Sequence, residues 1–120
     1  MEEKIVKTIP LAHDLTLEIL DLSRKISSDA FQVKMTARVT IPVKESIFTP
    51  ESFTNFSLEN IISKVGTTTT YEHKKERNFI MAPDKDTVFD QLVASFEGTL
   101  LPYVSKPSFP RKYILKCYMQ

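Results

Sequence analysis

The sequence predicts an α+β fold: a twisted, largely antiparallel sheet of four or five strands, with one long and one short helix packed on one face. Residues 31–43 alternate apolar and polar side chains without a break, which is typical of a long β-strand with one buried face. Apolar residues recur at helical spacing over residues 88–104, which predicts a long helix that covers the sheet. The chain has 120 residues, enough for one hydrophobic core, so we expect a single α+β domain over residues 1–120.

The N-terminal third predicts a β-hairpin that includes the long strand. Residues 4–9 alternate weakly and end at Pro10, which indicates a short edge strand or an extended arm. Residues 15–26 form a second apolar stretch, and the cluster at 27–30 is typical of a turn. We therefore expect residues 15–26 to pair antiparallel with residues 31–43.

The register of this hairpin is ambiguous in the sequence. One register places Leu17 opposite Val39, and another, shifted by one residue, places Leu22 opposite Met35. Each register buries the apolar residues of only one part of the hairpin, so we predict a β-bulge near Leu20-Asp21 that joins the two.

The middle of the chain predicts a short helix followed by a strand. Ser57 is a suitable N-cap and Gly66 a suitable stop, while Thr49-Pro50-Glu51 indicates a separate helical turn upstream. Residues 67–80 are either one strand or a hairpin that turns within 74–76. We favour one strand because that turn has no Gly, Asn, Asp or Pro. The upstream phenylalanines are expected to seal one end of the core: Phe48, Phe53 and Phe56.

The C-terminal third predicts the long helix and a last strand. Asp84 is placed to cap the helix, which is expected to continue to about residue 105. Gly98 lies inside it and indicates either close backbone packing or a bend. Pro107 and Pro110 are expected to stop the helix, and the alternation over residues 111–119 predicts the final strand.

Composition and charge exclude several classes of protein. The 16 basic and 15 acidic residues give a formal net charge of +1, which excludes a strong overall attraction to nucleic acid or anionic lipid. The chain has 2 glycines, too few for a glycine-rich phosphate-binding loop or a dinucleotide fingerprint. No apolar run reaches the ~20 residues of a membrane span, so we expect no membrane partner. A single cysteine and an N-terminus without a secretory pattern lead us to expect a cytoplasmic protein.

The sequence offers no catalytic, metal or cofactor motif. His13 and His73 are the only histidines, and neither has the spacing of a metal site. Cys117 stands between Leu115 and Met119 on an apolar face, which favours a buried and inert thiol. We therefore assign no catalytic residue, no metal ligand and no cofactor.

The most unusual stretch is the charged segment of the predicted strand at 67–80. Basic side chains alternate there between aromatic ones, an arrangement that single-stranded nucleic acid can use. The competing interpretation is a charged edge strand that protects the sheet from aggregation. The candidate binding surface consists of Tyr71, His73, Lys75, Arg77 and Phe79.

Three functional hypotheses follow, in order of preference. The first is a small non-catalytic protein-interaction module that works through a protein partner or through self-association as a homodimer, using the helix-free face of the sheet. The second is single-stranded nucleic-acid binding through the strand at 71–79, and the third is an enzyme whose site the spacing does not show. The sequence does not identify the partner, the ligand, the oligomeric state or the strand order.

Overall fold

The computed structural model describes residues 4–48 and 57–120. Its strands are β1 (Lys4–Pro10), β2 (Thr16–Asp21), β3 (Arg24–Lys25), β4 (Ala30–Pro42) and β5 (Thr68–Met81). Its α-helices are α1 (Leu58–Val65), α2 (Lys85–Thr99), α3 (Leu101–Val104) and α4 (Phe109–Tyr118). The predicted helical turn at Thr49-Pro50-Glu51, together with Phe53 and Phe56, lies outside the described residues.

The strands form one open antiparallel sheet, and the predicted α+β fold is confirmed. Across the sheet the order is β1, β2, β4, β5, and the short β3 continues the line of β2 along β4. The expected edge strand is β1, and residues 68–81 form a single strand of 14 residues, one longer than the 13 of β4. The prediction of one strand rather than a hairpin in this segment is confirmed.

The predicted bulge near Leu20-Asp21 is wrong. One register runs through the whole pairing with β4, from Leu17 opposite Val39 through β3, where Arg24 stands opposite Gln32. The apolar phase changes because Leu20 is buried on the helix-free face of the sheet, where it pairs with Ile5 and Thr36. The change therefore reflects a local apolar site on the second face and not a slip of register.

Two bulges occur at other positions. The pairing of β1 with β2 shifts by one residue at Val6. The pairing of β4 with β5 shifts between Phe31 and Val33, so that Asn78 and Phe79 stand opposite Gln32. Phe79 has a φ of 59°, a left-handed conformation that is rare for a bulky side chain.

The core lies between the sheet and the helices, on one face of the sheet. Phe89, Leu92 and Phe96 of α2 belong to the same buried cluster as the alternating residues of β4. The alternating side chains along the middle of β4 are all buried, which confirms the buried face that the alternation predicts: Val33, Met35, Ala37, Val39 and Ile41. Val93 and Leu100 pack against this cluster while partly buried.

The short helix α1 forms where the sequence predicts it. The Ser57 hydroxyl accepts a hydrogen bond from the Asn60 amide at 3.1 Å, and the Gly66 amide donates to the Ile62 carbonyl at 2.8 Å. Gly66 has a φ of 105°, a conformation that an L-residue rarely adopts, so glycine suits this stop.

The predicted long helix is two helices. α2 ends at Thr99 and α3 begins at Leu101, with Pro102 in the first turn of α3. Proline has no amide hydrogen to donate to the preceding turn, so the break lies here. Of the two readings of Gly98, close backbone packing does not apply, because a Cβ built there meets nothing within 4 Å. Asp84 precedes α2 as expected, although its side chain makes no capping hydrogen bond.

The predicted C-terminal strand at 111–119 is wrong. Residues Phe109–Tyr118 form α4, with Pro110 in its first turn, where proline is well tolerated. Phe109 and Ile114 are buried in the core. We had interpreted Pro110 as a helix stop, whereas it marks a helix start.

Candidate functional site

The predicted surface on β5 faces the helices. Tyr71, His73, Lys75 and Arg77 stand opposite Val39, Ala37, Met35 and Val33 of β4, which point into the core. Residues directly opposite each other on antiparallel strands share a face. These four predicted residues therefore lie on the helix side of the sheet.

Tyr71 is packed by aromatic rings of α4. Its ring centroid lies 5.2 Å from that of Phe109 and 5.5 Å from that of Tyr113, both in edge-to-face geometry. Burial, and secondarily the nearby Tyr103, raises the pKa of the Tyr71 phenol above its ordinary value of 10.0. This ring therefore stabilises the contact between β5 and α4 and is not free to stack on a ligand.

His73 and Lys75 are in contact with α2. The His73 ring lies 5.8 Å from the Phe96 ring, and its Nε2 atom is buried without a hydrogen-bond partner. Burial, and secondarily Lys75, lowers the pKa of His73 below its ordinary value of 6.5. The Lys75 ammonium donates to the Ser95 hydroxyl at 2.9 Å.

The other two predicted residues are exposed. Arg77 donates to the carbonyl of its neighbour Glu76 at 3.0 Å. The bulge interrupts the alternation of β5, and the Phe79 side chain is 75% exposed. The structure therefore divides the predicted surface into three residues against the helices and two in solvent.

The helix-free face of the sheet is polar and internally paired near its centre. The Arg38 guanidinium lies 3.2 Å from the carboxylate of Glu18, which stands directly opposite it on β2. Gln32 donates to the Asn78 side chain at 3.0 Å. Thr36, which lies on the same face as Arg38, is buried.

One end of that face is apolar. Ala30 of β4 stands opposite Met81 of β5. The Ala30 carbonyl accepts a hydrogen bond from the Ile26 amide at 3.0 Å. Ile26 and Met81 are 37% and 48% exposed, and Phe79 lies two residues before Met81. We call these four residues, Ile26, Ala30, Phe79 and Met81, the tip patch.

A cleft lies on the opposite face, between β1 and α2. It has a volume of about 620 Å³. Its apolar lining comes from Val6, Ile19, Phe89 and Val93. Its charged lining comes from Lys4, Lys7, Asp21, Asp86, Asp90 and Glu97. We call this the β1–α2 cleft.

The sequence carried a weak signal for this cleft. Asp86, Phe89, Asp90, Val93 and Glu97 are spaced along one stripe of α2, and Val6 interrupts the alternation of β1. We did not predict the cleft because a sequence does not say how far sideways a helix covers a sheet.

In the ranges 4–48 and 57–120, no group of three or more His, Cys, Asp or Glu side chains could hold a metal ion. The His13 Nε2 atom lies 2.8 Å from the Pro107 carbonyl oxygen. Burial, and secondarily the neighbouring Cys117, raises the pKa of Tyr113 above 10.0. Within the same ranges, no helix is long and apolar enough to cross a membrane.

Comparison with the models of protein families found no match, and comparison with curated proteins and with solved structures found no significant similarity.

Proposed function

We propose that this protein is a non-catalytic protein-interaction module that forms a homodimer through the tip patch. The observation that carries the proposal is Phe79, a large aromatic side chain that is 75% exposed and held at a φ of 59°. A bulge with a residue in this conformation is ordinarily filled by glycine.

The left-handed conformation of Phe79 is unfavourable in free energy, and no contact of its exposed ring within the fold offsets this. A left-handed conformation costs a non-glycine residue about 1–2 kcal/mol, and burial of the ring does not offset it here. Backbone strain that persists in a structure is concentrated at functional positions. Aromatic side chains, including Phe, are also enriched at protein interfaces relative to the rest of the surface. Both properties support a role for Phe79 in contact with another protein surface.

A second copy of the same chain is the partner that the surrounding charges support. A twofold interface brings a surface against itself, so the surface must be self-complementary. Exposed side chains of both signs flank the tip patch along the chain: Arg24, two residues before Ile26, is basic, and Asp29, next to Ala30, is acidic. Rotation by a twofold axis can place basic side chains of one copy opposite acidic side chains of the other, whereas a strongly charged partner would meet repulsion from half of them.

Sedimentation equilibrium tests this proposal. Because the tip patch is small, we expect a dissociation constant of about 1–100 µM, within the range of weak or transient interfaces. Phe79→Asn removes the ring and suits the left-handed backbone, so this variant is expected to stay folded and to sediment as a monomer.

Met119→Asn is the matched control. Met119 is another exposed apolar side chain, at the C-terminal end of α4. This variant should dimerise like the natural protein. A natural chain that is monomeric at about 1 mM would overturn the proposal, since biological interfaces of ordinary size are populated well below that concentration. Equal weakening by both substitutions would also overturn it.

A further inference from the structure

We infer that the β1–α2 cleft binds an amphipathic helix of a partner protein, with basic side chains along the edge that faces α2. This inference does not depend on dimerisation, because the cleft and the tip patch lie on opposite faces of the sheet.

The cleft exists because the helical layer is narrower than the sheet. α2 packs over β4 and β5, while β1 packs against β2 at the far edge. The apolar side chain of Val6, which lines the cleft, is therefore 42% exposed. A sheet is stable when a second layer covers its apolar face. A helix laid beside α2, at the usual spacing of 8–10 Å between packed helices, would extend that layer over β1 and β2.

A helix fits this position better than an added strand. An added strand needs a straight edge of free amides and carbonyls, and β1 has a bulge at Val6 and ends at Pro10, which has no amide hydrogen. Bulges, prolines and lysines are the devices by which edge strands resist pairing, and β1 also carries Lys4 and Lys7. The free edge is thus protected, while the apolar surface above it remains accessible.

The lining of the cleft defines the apolar stripe that the partner needs. The stripe of α2 that borders the cleft runs from Asp86 to Glu97, which corresponds to about 16 Å along the axis. A partner helix of about three turns matches that length. Its apolar residues at i, i+3, i+4 and i+7 would contact Val6, Val93 and the exposed edge of Phe89.

The charges of the cleft select a basic partner. Lys7 and Glu97 form an ion pair at 2.8 Å, which neutralises one end of the cleft. At the other end Lys4 stands among three carboxylates, those of Asp21, Asp86 and Asp90. Asp86 lies 3.8 Å from Lys85, and no ion pair joins Asp90 to any residue in the described ranges. The excess of negative charge favours Lys or Arg on the partner.

The test uses synthetic peptides of about 16 residues, long enough for helix formation in the bound state. The first has Leu at i, i+3, i+4 and i+7 and Lys along one flank, and the second has Glu in place of Lys. Fluorescence anisotropy at ~0.15 M salt measures their affinities, and NMR amide shifts locate the site. We expect the basic peptide to bind at least about tenfold more tightly than the acidic one. We expect shifts concentrated at Val6, Ile19 and Val93.

The decisive variant is Asp86→Asn with Asp90→Asn, which keeps the shape of the cleft and removes two charges. The matched control is Glu59→Gln with Glu72→Gln, which removes two charges from α1 and from the helix-free face of β5. The first double variant should lose most of the preference for the basic peptide, and the control should keep it. Equal binding of the two peptides, binding of neither at about 1 mM, or shifts at another surface would overturn the inference. Failure of the sedimentation test would leave these results unaffected, since Phe79 is not in the cleft.

Discussion

Two phenylalanines of this chain occupy opposite environments. Comparing their variants distinguishes a side chain that stabilises the fold from one that we propose for binding. Phe96 is fully buried between α2 and the sheet, where it contacts His73, whereas Phe79 is mostly exposed. Phe96→Ala should lower the free energy of unfolding by about 3–5 kcal/mol, because it leaves a cavity in the core. Chemical denaturation at a concentration below that of dimer formation provides the measurement. Phe79→Ala is the control and should change stability by less than about 1 kcal/mol. Similar losses for both variants would contradict the described position of α2.

His73 makes the stability depend on pH in a defined direction. Its pKa is lowered below 6.5 in the folded state, through burial and then through Lys75. As the pH falls below 6.5, the unfolded chain therefore binds a proton before the folded protein does, and stability decreases. His73→Phe should flatten that part of the curve of unfolding free energy against pH. Lys75→Met should weaken this dependence of stability on pH, because it removes the second cause of the lowered His73 pKa. An unchanged slope in His73→Phe would exclude this histidine as the source.

At the residue scale, the alternation of β5 correctly groups Tyr71, His73, Lys75 and Arg77 on one face. The sequence does not show that this face is covered by helices, because the register of β5 on β4 is a pairing between distant segments. Phe79 does not share this face with the other four residues, because a bulge interrupts the strand before it. The sequence does not predict that bulge, since a bulge with a non-glycine residue at positive φ has no sequence signature. The role of these five residues in binding stays a prediction.

At the element scale, two glycines differ in whether their positions tolerate a side chain. Gly98 lies in α2 with open space around its missing Cβ, so Gly98→Ala should stabilise the protein by about 0.5–1 kcal/mol through helix propensity. Gly66 ends α1 at a φ of 105°, where alanine is strained, so Gly66→Ala should destabilise it by about 1 kcal/mol or more. Thermal unfolding measures both. A change of melting temperature in the same direction for both variants would contradict the position of Gly98 inside α2 or of Gly66 at the end of α1.

Elements with strong local signals were predictable, and those defined by distant contacts were not. The strand at 31–43 alternates without interruption, and Ser57 and Gly66 bracket α1. The C-terminal helix has two periods in its sequence: Tyr113, Leu115 and Cys117 alternate, while Phe109 and Tyr113 are spaced as on one face of a helix. Packing against α1 and α3 selects the helix, and that contact is not local.

The whole molecule is elongated, and its shape explains both proposed surfaces. Its extents are 56 × 25 × 20 Å and its radius of gyration is 17.3 Å, against about 14 Å expected for a compact chain of this length. The long strands β4 and β5 set the longest dimension, and the helical layer covers one face only. Apolar side chains therefore stay exposed where that layer ends, at the β1–α2 cleft, and on the uncovered face at the tip patch.

The same architecture predicts weak binding to nucleic acid. Single-stranded binding needs aromatic faces on which bases stack and a continuous basic groove. Tyr71 is held between Phe109 and Tyr113, and Lys75 is bound to Ser95. The net charge of +1 provides little overall attraction. We therefore expect no oligonucleotide binding tighter than about 100 µM at ~0.15 M salt, where exposed charges are screened.

Fluorescence anisotropy with a labelled single-stranded oligonucleotide over a range of salt concentrations measures this prediction. The informative variant is Lys75→Ala with Arg77→Ala, on the helix side of β5. Its matched control is Lys74→Ala with Arg77→Ala, which removes the same charge but takes the lysine from the other face, because Lys74 stands opposite Thr36. Micromolar binding that falls steeply with salt and is lost only in the first variant would contradict our expectation that the helices prevent nucleic acid from binding to this face of β5. It would favour nucleic-acid binding over the interaction module, because release of counterions from phosphate contacts gives a steep salt dependence.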